Sequence, residues 1–135
     1  MCGHGELPLV LVVDDDPNAA RLVAAALLGE PCRVEQVGSY AAARQRLACE
    51  RPAVLVVEID LPDGSGWDLI AALRQEGAGS APPVVVSTAQ VRPGVPEARG
   101  LGVHWLPKPF RLRHARALLL PLLRAAGGPR GRSER

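Results

Sequence analysis

The sequence predicts an open parallel β-sheet with helices on both faces. Apolar runs and helical stretches alternate five times within about 120 residues, which is typical of parallel α/β proteins. Most of the apolar runs are continuous and rich in valine, as strands buried on both faces are. A chain of 135 residues, 47% of them hydrophobic, is long enough for one such domain with its own core.

Five short runs supply the predicted strands. The run Cys32–Val37 alternates polar and apolar residues, which favours a half-exposed edge strand. The other four runs are Leu7–Val13, Ala53–Val57, Pro83–Val86 and Val103–Leu106. Because each run is short and mostly apolar, each is expected to form one strand.

The predicted helices begin at residues that can cap a helix N-terminus. Asp16, Ser39 and Ser65 each stand just before a helical stretch, and Pro121 is expected to kink the last helix. A helix between residues 90 and 102 is expected to be short, because proline and glycine interrupt it. The other predicted helices run from Pro17 to about Gly29, from Ser39 to before Pro52, from Ser65 through Leu73 and from about Arg111 to Arg124.

Composition and charge exclude several functional classes. The longest uncharged stretch, Gly77–Val91, is shorter than the roughly 18 apolar residues of a membrane span, so neither membrane insertion nor a secretory signal is expected. Cys2, Cys32 and Cys49 are odd in number and lack Cys-x-x-Cys spacing, so neither a disulfide framework nor a zinc site is predicted. A cytoplasmic protein is therefore expected.

One domain, residues 7–124, is expected between a flexible N-terminus at 1–6 and a flexible basic tail at 125–135. The tail is rich in arginine and glycine, and such a segment is more often a solvated end than a nucleic-acid arm. The net charge is only +2. Nucleic acid is therefore not an expected partner.

Charged and hydroxyl side chains stand where the predicted strands end. Asp14 and Asp15 follow the first strand, Glu58 the third, Thr88 the fourth and Lys108 the last. Because ligands of open α/β sheets bind at the carboxyl ends of the strands, these groups are expected to converge. Clustered carboxylates need a cation, and an oxygen-only donor set favours Mg²⁺. Lys108, the single lysine among 16 basic residues, and Thr88 are placed to hold phosphate oxygens.

Four motifs around these strand ends resemble a known family. They are LVVDDDP, VVEIDLPDGSGWDLI, VVVSTA and the tripeptide Lys108-Pro109-Phe110, in this order. Over about residues 7–124, the chain resembles the receiver domains of bacterial two-component response regulators. The resemblance implies a flavodoxin-like fold with a five-stranded parallel sheet of order 2-1-3-4-5, and a phosphoryl group received from a histidine kinase.

The resemblance also implies roles for individual residues. Asp14 and Asp15 correspond to the acidic pair that binds Mg²⁺ in the family. Thr88 and Lys108 correspond to the residues that sense the phosphoryl group. Trp105 corresponds to the aromatic residue that changes rotamer in many members, and simple packing is the alternative role for it.

The position that accepts the phosphoryl group departs from the family pattern. Four residues before Pro62, where the family has an aspartate, this chain has Glu58. The additional methylene displaces the carboxylate by about 1.5 Å, and a misplacement of ~1 Å slows a reaction roughly 100-fold. Glu58 is therefore expected either to mimic the phosphorylated state or to hold the domain in a phosphorylation-independent one.

Asp60 adds a further carboxylate at the mouth of the predicted site. The corresponding family position gives its backbone carbonyl to the metal, and an acidic side chain there is able to bind the metal through water. Phosphorylation of Asp60 itself is a less favoured alternative. The expected Mg²⁺ ligands are thus Asp14, Asp15, Glu58 and Asp60, with weak binding or none as the open alternative.

The sequence therefore predicts an atypical receiver, or pseudo-receiver, that acts by protein–protein interaction and not by catalysis. The expected partner is a histidine kinase or a downstream output protein, and a homodimer is left open. The alternative is a small Mg²⁺-dependent phosphatase or phosphotransferase, since Asp14 and Asp16 form an Asp-x-Asp pair. Those enzymes have Thr or Val where this chain has Asn18, so this alternative is less favoured.

Overall fold

The structure, a computed structural model, describes residues 7–77, 81–89 and 102–127. The strands are β1 (Leu9–Val13), β2 (Arg33–Val37), β3 (Val54–Val57), β4 (Asp60–Leu61), β5 (Gly64–Ser65), β6 (Val84–Val86) and β7 (His104–Trp105). The helices are α1 (Ala19–Ala26), α2 (Tyr40–Cys49), α3 (Gly66–Glu76) and α4 (Leu112–Gly127).

Five parallel strands form the main sheet in the spatial order β2-β1-β3-β6-β7. Strands β4 and β5 form a separate antiparallel hairpin after β3. When only the strands of the main sheet are counted, its order is the predicted 2-1-3-4-5. The flavodoxin-like fold is therefore confirmed, and each predicted strand is present with ends that differ by one or two residues.

Alternate residues of the central strands pack on opposite faces of the sheet, because successive side chains of a strand point in opposite directions. On one face, Val10 and Val12 of β1 pack with α1 and α4. On the other, Leu9, Leu11 and Val13 pack with α2 and α3. Both faces of β1 are covered, which explains why the run is apolar throughout.

The predicted caps of α2 and α3 are present. Ser39 Oγ accepts a hydrogen bond from the Ala42 N–H at 3.0 Å. Ser65 Oγ accepts one from the Trp67 N–H at 3.1 Å. Each hydroxyl satisfies a backbone donor that the first helical turn leaves without an intrahelical acceptor.

Helix α1 begins later than predicted. Asp16 Oδ1 accepts a hydrogen bond from the Asn18 N–H at 2.9 Å, which closes a turn before the helix, and the helix itself starts at Ala19. Asp16 therefore shapes the loop between β1 and α1 and is not the residue that directly precedes the helix.

The last helix extends beyond its predicted end. Helix α4 contains Pro121 and continues to Gly127, three residues into the segment 125–135 that the sequence predicts as a tail. The predicted N-terminus at 1–6 and the rest of that tail lie outside the described residues. Most of the predicted helix between residues 90 and 102 lies outside them as well.

Two expectations from composition, on membrane spans and on cysteines, can be compared with the structure. In the part of the chain that the structure describes, no helix has the length and apolar character needed to cross a membrane. Cys32 is a free thiol, whereas Cys49 at the end of α2 is disulfide-bonded. The disulfide at Cys49 is a feature that the number and spacing of the cysteines did not predict.

Candidate functional site

Asp14, Glu58 and Lys108 form a charge cluster at the carboxyl ends of the sheet strands. Lys108 Nζ donates hydrogen bonds to Asp14 Oδ2 at 2.7 Å and to Glu58 Oε1 at 3.0 Å. Asp14 is 3% exposed and Glu58 is 9% exposed. One ammonium therefore bridges two buried carboxylates that come from neighbouring strands.

Backbone hydrogen bonds bring Lys108 to this position. Beyond β7, the Leu106 N–H donates to Val86 O at 2.8 Å, and the Lys108 N–H donates to Thr88 O at 3.0 Å. The chain after β7 thus stays paired with the chain after β6. This pairing places the Lys108 side chain at the carboxyl ends of the strands.

Glu58 is surrounded by hydrogen-bond donors. Its Oε2 accepts from the Ile59 N–H at 2.7 Å and from the Asp60 N–H at 3.2 Å. The buried Thr88 hydroxyl also donates to the Glu58 carboxylate. Together with Lys108, these groups satisfy both oxygens of the carboxylate.

Burial and hydrogen bonding act on the ionisation of the cluster in opposite directions. Burial alone would raise the pKa of Glu58, but hydrogen bonds from Thr88, Lys108 and the Asp60 N–H outweigh it, and the pKa lies below its usual value of 4.5. Burial alone would lower the pKa of Lys108, but its bonds to Asp14 and Glu58 hold that pKa above 10.5. Glu58 and Lys108 are therefore both charged at neutral pH.

The lowered pKa of Glu58 predicts a contribution to stability that acid removes. Because this pKa is lower in the folded than in the unfolded chain, ionised Glu58 stabilises the fold above pH 4.5, and the contribution is lost as the pH falls through the folded pKa. We expect the free energy of unfolding to fall less steeply in Glu58→Gln than in wild type between about pH 5 and pH 3. Urea unfolding across this range measures the two slopes, and equal slopes would contradict the assignment.

The four predicted Mg²⁺ ligands lie in two different environments. Asp15 and Asp60 are exposed, while Asp14 and Glu58 meet through Lys108. Asp14 Oδ1 also accepts from the Asp16 N–H at 2.9 Å. Within residues 7–77, 81–89 and 102–127, no group of three acidic, histidine or cysteine side chains is arranged to hold a metal ion.

Trp105, the predicted switch aromatic, packs against α3. Its ring meets the Trp67 ring edge to face, with 5.8 Å between ring centroids and an interplanar angle of 64°. Both side chains are half-buried beside the core that α2 and α3 cover. The sequence places Trp67 in the core of α3, and its contact with Trp105 was not foreseen.

Gln36 contacts the loop that carries Asp14, a position that the sequence did not predict. Its Nε2 donates to Asp14 O at 2.6 Å and to Asp16 O at 2.7 Å, and its Oε1 accepts from the Ala20 N–H at 3.0 Å. Gln36 therefore holds the acidic loop between β1 and α1 in place. Its position near the end of the edge strand was the available signal, but a polar residue there also suits simple exposure to solvent.

Gly66 is the second missed residue. Its N–H donates to Ile59 O at 2.8 Å, so α3 begins in contact with the segment that follows Glu58. A Cβ at Gly66 would lie 2.5 Å from Glu58 O and 2.8 Å from Val57 Cγ1. Only glycine lets α3 approach this closely.

The fold and the site define a flavodoxin-like α/β domain with an acidic, lysine-bridged centre at the carboxyl ends of its parallel strands. The family model of the response regulator receiver domain matches residues 10–119. The chain belongs to this family.

Individual relatives show the extent of the similarity. The chain is 34% identical over 125 residues to the probable transcriptional regulatory protein TcrX of Mycobacterium tuberculosis, which covers 91% of this chain and 53% of that protein. It is 30% identical over 135 residues to a protein-glutamate methylesterase/protein-glutamine glutaminase of Nocardioides sp., with 90% of this chain and 36% of that protein covered. The chain thus spans about half of the first relative and about a third of the second.

A solved structure agrees with the fold. The signal receiver domain of a putative Luxo repressor protein from Vibrio parahaemolyticus superposes with a TM-score of 0.76 and 26% identity, covering 89% of this chain and 92% of that one. The phosphatase alternative has no support in these comparisons.

Proposed function

We propose that this chain is a receiver domain whose conformational state does not depend on phosphorylation. It acts by presenting its surface to a protein partner. The observation that carries the proposal is the carboxylate of Glu58, which contacts both Lys108 and Thr88. Those are the residues that sense the phosphoryl group in the family that the chain resembles. Glu58 supplies them with a negative charge in the absence of any phosphoryl group.

The same contacts make Glu58 a poor acceptor of a phosphoryl group. Its Oε1 is held by Lys108 and its Oε2 by the Ile59 and Asp60 N–H groups. A nucleophilic oxygen has to give up such bonds before it can attack, and the longer side chain also displaces it from the position of an aspartate. Misplacement of ~1 Å already costs a reaction roughly 100-fold.

Receiver domains typically bind Mg²⁺ at the phosphorylation site, and we propose that this one binds it weakly or not at all. The two buried carboxylates need a positive charge nearby, and Lys108 supplies it from within the chain. Asp15 and Asp60 are exposed and remain hydrated in this arrangement.

The proposed partner is a histidine kinase or a downstream output protein, and we propose no catalytic role. TcrX is by name a transcriptional regulatory protein and is longer than this chain, so regulation of a separate or attached output module is the corresponding proposal here. The proposed location is the cytoplasm, on the basis of the family.

Incubation with Mg²⁺ and acetyl phosphate, followed by intact mass measurement, tests the proposal. Wild type and Asp60→Ala are expected to keep their mass, whereas Glu58→Asp is expected to gain one phosphoryl group. A phosphoryl group on wild type would contradict the proposal. If Glu58→Asp gained none either, Glu58 would not be the reason for the inactivity.

A further inference from the structure

A cavity of about 330 Å³ lies next to the charge cluster, on the face of the sheet that α1 covers. We infer that it binds a small, largely apolar molecule that carries a primary amine. The inference goes beyond the proposed function and does not depend on it, because the cavity and its lining are present whether or not Glu58 accepts a phosphoryl group.

The walls of the cavity are apolar. Val12 and Val56 line it from the sheet, Ala19 and Val23 line it from α1, and Phe110 also lines it. A volume of 330 Å³ lies at the lower end of the range of small-molecule sites, roughly 300–1,000 Å³. The body of the ligand is therefore apolar and about the size of a bicyclic ring.

Ser87 supplies the observation that points to a ligand. It lines the cavity and is 2% exposed, and its Oγ has no hydrogen-bond partner among residues 7–77, 81–89 and 102–127. Val85 packs on the face that α1 and α4 cover, and Ser87, two residues on, shares that face because side chains alternate along a strand. Since buried hydroxyls are nearly always hydrogen-bonded, a polar atom of the ligand is the expected partner of Ser87.

The charged side chains at the mouth of the cavity determine which charge on a ligand is favoured. Asp14, Asp16 and Lys108 line this end, and Lys108 is already shared between Asp14 and Glu58. Among the lining residues, two carboxylates stand against one ammonium, which leaves this end negative. An ammonium head group is therefore favoured over a neutral one, and a carboxylate is disfavoured.

A ligand in this cavity would contact residues that the charge cluster uses. Asp14 and Lys108 belong both to the cavity lining and to the cluster. Occupancy is thus able to alter the charge cluster directly.

Binding of three matched probes to the isotope-labelled full chain tests the inference. Naphthylmethylamine, naphthylmethanol and naphthoate share an aromatic body and differ in the charge of the head group. We expect saturable amide shifts at Ala19 and Ser87 with the amine, weaker ones with the alcohol and the weakest with naphthoate. No saturable binding of the amine, equal binding of naphthoate, or shifts confined to other surfaces would overturn the inference.

Variants locate the site. Leu22→Trp adds bulk to a residue of the cavity lining and is expected to abolish binding, whereas Leu28→Trp, at a residue that is 79% exposed and outside the lining, is the matched control. Ser87→Ala is expected to weaken amine binding about fivefold through the loss of one hydrogen bond. Asp16→Asn is expected to reduce the preference for the amine over the alcohol. Unchanged binding in Leu22→Trp, with circular dichroism showing a folded chain, would contradict the assignment.

Discussion

Replacing Lys108 by methionine is expected to lower the free energy of unfolding by about 3 kcal/mol. The variant leaves Asp14 and Glu58 buried, near each other and without the ammonium that bridges them. The Lys108 side chain is 23% exposed, so water reaches it only in part and screens the cluster weakly. Urea unfolding at neutral pH measures the change.

Two further variants separate the charge of Lys108 from its shape. In Lys108→Met combined with Glu58→Gln, only one buried carboxylate stays ionised, so the loss is expected to be smaller than in Lys108→Met alone. Lys108→Arg keeps the charge but replaces a compact ammonium by a planar fork, and an intermediate loss is expected. A cost below about 0.5 kcal/mol for Lys108→Met, as for an ordinary surface change, would show that the cluster does not stabilise the fold.

Gly66→Ala is expected to lower the free energy of unfolding by about 3 kcal/mol, at the upper end of the cost of overpacking. The added Cβ would lie 2.5 Å from Glu58 O and 3.0 Å from Ile59 Cα. Both are backbone atoms, so α3 or the chain after β3 has to move. That movement also displaces the N–H groups that hold the Glu58 carboxylate.

Gly38→Ala is the matched control for Gly66→Ala. The nearest atom to a Cβ at Gly38 is Asp14 O at 3.8 Å, an ordinary van der Waals contact near the same site. Unfolding of the two variants is compared under the same conditions. Equal stability of Gly66→Ala and Gly38→Ala would mean that the close approach of α3 is not a constraint.

The sequence predicts the sheet well because its strands are buried on both faces. Continuous apolar runs such as the one that forms β1 suit a strand that α1 and α4 cover on one side and α2 and α3 on the other. The capping side chains of Ser39 and Ser65 mark helix starts because they act on the backbone next to them. Local chemistry of this kind is visible in the sequence.

The assembly of the site is predicted only in part. Topology alone brings Asp14, Glu58 and Lys108 to one edge of the sheet, and this juxtaposition is present. Asp15 and Asp60 are exposed. Their exposure depends on the conformations of two loops, and these conformations cannot be read from the order of the residues. The expectation that Asp14, Asp15, Glu58 and Asp60 together hold Mg²⁺ stays a prediction.

The single lysine of the chain makes a different kind of contact from Arg44. Arg44 contacts both oxygens of Glu76 at 3.1 and 2.8 Å, the two-point contact that a planar guanidinium favours. Lys108 instead bridges carboxylates from two different strands with one nitrogen. A compact ammonium suits this bridging position.

The NMR signals of the indole N–H groups of Trp67 and Trp105 give the most direct test of the central claim. The claim is that Glu58 holds the receiver, without phosphorylation, in the state that a phosphoryl group would produce. Trp105→Phe assigns the Trp105 signal, which is then recorded in wild type and in Glu58→Asp before and after phosphorylation with acetyl phosphate. Wild type that has never met a phosphoryl donor is expected to match phosphorylated Glu58→Asp. A match with unphosphorylated Glu58→Asp would contradict the account.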